Sequence, residues 1–95
     1  MKLTRRLRIT GRVQGVGYRE AMCDAALRTG VAGWVRNRRD GSVEAAVHGD
    51  PQALEAIIAW ARRGPPAAHV SGVEVSDDPS QLPCGYASFV RRPSD

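Results

Sequence analysis

Arg6-Leu7-Arg8-Ile9-Thr10-Gly11-Arg12-Val13 runs into Gln14-Gly15-Val16-Gly17 and then into Tyr18-Arg19-Glu20-Ala21-Met22. In the first eight residues Leu7, Ile9, Gly11 and Val13 fall on one side, and Arg6, Arg8, Thr10 and Arg12 on the other. A period of two is the signature of a strand with one buried face. The glycines after it break the pattern and read as a loop. Residues 18–29 then read as a helix, with Met22, Cys23, Ala26 and Leu27 along one side. Gly30 suits the left-handed position just past the helix end.

Working outward, residues 31–37 read as a second strand and Asp40-Gly41 as the tight turn after it. Residues 42–48 make a third strand, with Val43, Ala45 and Val47 alternating against Glu44, Ala46 and His48. A second helix opens at Asp50-Pro51. The Asp50 carboxylate is expected to accept hydrogen bonds from first-turn amides, and Pro51 suits the first helical position. Leu54, Ile57, Ile58 and Ala61 share one helical face, and Gly64-Pro65-Pro66 ends the helix. Residues 70–76 make a fourth strand and residues 86–91 a short fifth. The order β-α-β-β-α-β, plus a final short strand, predicts an α+β, ferredoxin-like sandwich: an antiparallel sheet with both helices on one face.

The chain of 95 residues is expected to form one domain over 1–95. No apolar run is long enough to cross a membrane. Arg8 and Arg12 interrupt what would be the apolar part of a signal peptide, so a cytoplasmic protein is inferred. Cys23 and Cys84 match no metal or redox spacing and read as small thiols, though sequence leaves a disulfide between them open. The net charge of +4 is uneven. Residues 1–39 hold ten Lys or Arg against Glu20 and Asp24 (+8), and residues 40–95 hold four against eight acids (−4). Such a basic region suits an anionic partner, or is simply a solvated face.

The chemistry concentrates at the first loop. Glycines let successive backbone amides converge on one point, and the free amides and dipole of the next helix favour an anion there. The expected ligand is a phosphate-sized oxyanion, bound by Gln14, Gly15, Val16, Gly17, Tyr18 and Arg19. Nucleotide loops do not fit. Walker A needs Lys-Ser or Lys-Thr where Tyr18-Arg19 stands, and the dinucleotide fingerprint needs glycine in place of Glu20. Arg19 faces the positive end of the helix dipole, which costs about 0.3–1 kcal/mol, and a bound phosphate would reverse that penalty. In this topology strands 1 and 2 run parallel with strand 3 between them, so Asn37, ending strand 2, lies at the same sheet edge as the loop. Its amide is suited to hold a water near the phosphate. It is equally suited to help form the turn before Asp40-Gly41, and both readings stand at this point.

The stretch Gly11-Arg12-Val13-Gln14-Gly15-Val16-Gly17-Tyr18-Arg19 resembles the signature of the acylphosphatase family. Gly33-Trp34-Val35-Arg36-Asn37 resembles its second signature, and Asp40-Gly41-Ser42-Val43-Glu44 and Gly64-Pro65-Pro66-Ala67 keep to its usual course. The resemblance covers about residues 5–92. It implies hydrolysis of acyl phosphates without metal or cofactor, with Arg19 as the phosphate-binding arginine and Asn37 as the water-positioning asparagine. Two departures stand out. Tyr18 takes a place where phenylalanine is commoner, a mild change if the ring packs at the helix start. Glu20-Ala21 stands where relatives often carry an aromatic residue, which bears on the packing of the first helix.

The two motifs hold no Ser, Cys, Thr, His or Asp to act as nucleophile and no ligand cluster for a metal. His48 and His69 read as incidental. A carboxyl phosphate is already activated, so in-line attack by a water on Asn37 is expected, with loop amides and Arg19 stabilising the equatorial oxygens. Inorganic phosphate is then both product and inhibitor, and a monomer is expected. The alternative is a basic nucleic-acid-binding module without catalysis. Such modules stack bases on aromatics of the central strands, and strands 1 and 3 carry none. A domain handling carbamoyl phosphate within a larger maturation factor is a third reading; with nothing after Asp95, the sequence speaks for the simpler one.

Overall fold

A computed structural model describes residues 2–77 and 88–94. The elements keep the predicted order: β1 (Leu3–Arg12), α1 (Tyr18–Thr29), β2 (Ala32–Asn37), β3 (Val43–Gly49), α2 (Pro51–Arg63), β4 (His69–Asp77) and β5 (Phe89–Arg91). They form a five-stranded sheet in the order β4-β1-β3-β2-β5. β1 pairs antiparallel with β3 and β4, and β3 antiparallel with β2. β5 pairs with β2 in parallel, Val35 opposite Arg91, so the sheet is mixed where the sequence predicts an antiparallel one. The expected strand at residues 86–91 is seen from Phe89; Tyr86, like Cys84, lies outside the described residues.

One face of the sheet carries the core. Leu7 and Ile9 of β1, Val35 of β2, and Val43, Ala45 and Val47 of β3 are fully buried against Met22, Ala25 and Ala26 of α1 and Leu54, Ile57 and Ala61 of α2. Each large aliphatic side chain buried in this way contributes about 1.5–3 kcal/mol. The inner stripe of α1 is Tyr18, Met22, Ala25 and Ala26, at helical spacing. Leu27, placed on that stripe by the sequence reading, is 75 % exposed, and Cys23 is only partly buried. Tyr18 packs against Trp60 and Ala61 of α2, and Leu27, nine residues on and about half a helical wheel away, lies on the outside. Burial pushes the Cys23 thiol up from its ordinary value, which suits an inert thiol. Asp50 stands at the start of α2 with Pro51 after it, yet its side chain makes no capping hydrogen bond.

The opposite face has no helix, and its polar pattern predicts exposure. Glu44 and Ala46 are nevertheless buried there. Arg36 lies directly across the ladder from Glu44, and Arg6, Arg36 and Arg38 all donate to its carboxylate. Burial alone would raise the Glu44 carboxyl; the three guanidinium groups override it and hold it at about 2. Trp34 is 2 % exposed, with the Arg36 and Arg92 guanidinium carbons 5.2 and 4.8 Å from its ring centre. The long arginine side chains thus serve as the second layer of the sheet.

Candidate active site

β1, β2 and β5 run in one direction, so their C-terminal ends meet at one edge of the sheet. The β1–α1 loop turns there through Gly15 (φ 74°) and Gly17 (φ 77°). A Cβ at either would meet nothing within 4 Å, so the requirement is left-handed backbone and not space. Gly17 is also the cap residue of α1, and no side chain caps that helix start. The first-turn amides therefore remain for a ligand.

Tyr18 anchors the helix start. Its ring is buried and lies 5.3 Å from that of Trp60, and its hydroxyl donates to the Ala61 carbonyl at 2.8 Å. Burial pushes the phenol well above its ordinary value. The hydroxyl that distinguishes Tyr18 from phenylalanine is satisfied inside the core. Gln14 turns its side chain away from the cavity. Its amide donates to the carbonyls of Arg38 (2.7 Å) and Ser42 (2.9 Å), tying the loop to the β2–β3 turn.

Val13, Gly15, Gly17, Tyr18, Arg19, Glu20, Asn37 and Arg91 line a cavity of about 130 Å³. Arg19, Asn37, Gly15, Gly17 and Tyr18 of the predicted site come together in it; Gln14 and Val16 support the loop from outside. Among the described residues Arg19 makes no ion pair or side-chain hydrogen bond, nor does the Asn37 amide. Asp40, which accepts from Ser42, and Gln14, which donates to the carbonyls of Arg38 and Ser42, tie the backbone of the turn. The Asn37 side chain supplies none of these bonds. A larger hollow of about 230 Å³ lies on the helix-free face among Arg8, Arg38, Asp40 and Glu44. Its cations are already engaged by Asp40 and Glu44, so it offers an anion far less than the cavity at Arg19 does.

Neither histidine reaches the Arg19 cavity: His48 Nδ1 bonds the Thr4 hydroxyl at 2.8 Å, and His69 lies at the start of β4. Among the described residues no three His, Cys, Asp or Glu side chains gather in a way that could hold a metal ion. No described helix is long and apolar enough to cross a membrane. Sequence reasoning missed Glu20 and Arg91 as lining residues. Glu20 had a local signal, since it comes directly after Arg19 in the first turn of α1. Arg91 had none, because only the parallel pairing of β5 brings it there.

The acylphosphatase family model matches residues 5–90. The chain belongs to the acylphosphatase family. An acylphosphatase of Acidovorax sp. is 53 % identical over 95 % of this chain and 90 % of its own length. The crystal structure of acylphosphatase from Bacillus subtilis superposes with a TM-score of 0.87 at 34 % identity, covering 97 % of this chain and 99 % of that one. HypF of Thermococcus kodakarensis matches at a TM-score of 0.79 and 29 % identity over 97 % of this chain, which corresponds to only 12 % of HypF. The acylphosphatase fold is thus seen both at this length and as a small part of a larger protein. Nucleic-acid binding through the open face finds no support, because both arginines over Trp34 occupy the ring that a base would stack on.

Proposed function

We propose that the chain, acting as one monomeric domain of the cytoplasm, hydrolyses acyl phosphates to carboxylate and phosphate. The observation that carries this reading is Arg19, a cation with no partner among the described residues, beside uncapped helix amides and Asn37 in one cavity. The phosphoryl group sits on the amides of residues 15–19, with the Arg19 fork on its equatorial oxygens. A water held by the Asn37 amide attacks phosphorus in line. The new P–O bond forms as the bond to the acyl oxygen breaks, and the carboxylate leaves with that electron pair. A phosphate oxygen of the substrate takes the water's proton, since the one carboxylate among the described lining residues, Glu20, is bound to Arg91. Catalysis comes from positioning and electrostatic stabilisation, which an activated anhydride needs most. No residue set in the two motifs asks for a metal or cofactor, and inorganic phosphate is expected to inhibit as product.

Hydrolysis of benzoyl phosphate tests the reading. The rate should be unchanged by a chelator. Arg19→Ala should lower kcat/KM by about 10²–10³-fold, and Arg19→Lys should not restore it, because an ammonium lacks the planar fork. Normal turnover by Arg19→Ala would move the site elsewhere.

A further inference from the structure

Glu20 stands next to Arg19 in the first turn of α1 and lines the same cavity. The helix dipole favours a carboxylate there. That same carboxylate is an internal anion beside an anion site: it competes for Arg19 and repels an incoming phosphate. The structure shows where it goes instead. Arg91 Nη1 donates to Glu20 Oε1 at 2.9 Å. Arg91 reaches it from β5, where it stands opposite Val35, two residues before Asn37 on β2. It therefore arrives at the sheet edge where the loop and Asn37 already meet, and it lines the cavity with them. The pair is well exposed, with side-chain accessibilities of 49 % and 75 %. An exposed pair of this kind adds little to stability, so its consequence lies in the charge of the cavity.

We infer that Arg91 is a positioning residue of the oxyanion site, drawing the Glu20 carboxylate away from Arg19 and cancelling its charge. The inference rests on the reading of the Arg19 cavity as a phosphate site. Arg91 acts through Glu20, leaving the charge of Arg19 to the ligand. Through this ion pair the short fifth strand bears on the charge of the site.

The test is the inhibition constant of inorganic phosphate during benzoyl phosphate hydrolysis by the whole chain. Arg91→Gln should bind phosphate about tenfold more weakly, because Glu20 is then an unpaired neighbour of the anion. Adding Glu20→Gln to that variant should return the constant to within about threefold of wild type, while Glu20→Gln alone should leave it within about threefold, a non-additivity that the double-mutant cycle reads and that two independent charges would not give. Arg91→Lys, which keeps a cation, should also stay within about threefold. Arg91→Gln and the double variant both lack the Arg91 side chain, so a recovery by the second substitution reports charge and not packing. A double variant as weak as Arg91→Gln overturns the proposal, as does an Arg91→Gln protein that binds phosphate normally or an Arg91→Lys protein as weak as Arg91→Gln. Those results leave the cavity reading intact. A wild type insensitive to phosphate, with Arg19→Ala fully active, overturns the cavity reading and this proposal together.

Discussion

Arg19 and Asn37 share a cavity but should fail differently when removed. Arg19 and the loop amides hold phosphate in ground and transition states alike, so their loss damages affinity as well as rate. Asn37 is proposed to touch only the attacking water, an interaction that matters as the transition state forms. Asn37→Ala should therefore lower kcat by about 10²–10³-fold while phosphate inhibition barely moves. A residue serving only the turn would give the reverse: normal kcat per folded molecule and a melting curve shifted by about 1–2 kcal/mol. Measuring kcat, phosphate inhibition and melting on one preparation separates the two. Both residues were legible in sequence because their signals are local: three glycines before a helix, and an asparagine closing a strand. The Glu20–Arg91 contact was not, since 71 positions separate its partners and no local pattern brings them together.

Among the elements, the β1–α1 loop is tied to the β2–β3 turn by Gln14, which spans them with two hydrogen bonds. Gln14→Ala leaves the carbonyls of Arg38 and Ser42 without that donor and lets the amides of the loop drift relative to Asn37. The expected result is a loss of about 1–2 kcal/mol in urea unfolding, with phosphate inhibition several-fold weaker. Unchanged inhibition in a folded variant would mean the two segments hold their places independently. The sequence placed every element within a few residues, since alternation, glycine stops and Pro51 are strong local marks. It misjudged what depends on neighbours. Leu27 faces out, opposite the stripe that Tyr18, Met22, Ala25 and Ala26 bury, and β3 is buried on both faces because arginines of β1 and β2 fold over Glu44. The parallel direction of β5 is likewise a property of the sheet and not of Phe89–Arg91.

For the molecule as a whole, Glu44 links stability to acid. Its carboxyl is held at about 2 in the fold, against an ordinary value of 4.5. A depressed folded value means that the contribution, about 3 kcal/mol, is fully present above about pH 4.5. It is lost as the pH falls from there toward about 2. Glu44→Gln should be less stable than wild type by an amount of that order at neutral pH, and the gap should narrow steadily through this window. A gap that stays constant from neutral to acid would show that the lost stability has another source. The same sheet has a consequence in time. β1 is an interior strand, yet both its partners come later: β3 reaches it through Leu3 opposite Gly49, and β4 through Arg5 opposite Asp77. During synthesis this interior strand is made first and must wait, edges bare, for strands that do not yet exist. Two nascent chains side by side would bring identical bare strands together, the usual start of aggregation. Arg5, Arg6, Arg8 and Arg12 lie along that strand, and like charges meeting across two copies oppose such pairing until β3 and β4 arrive.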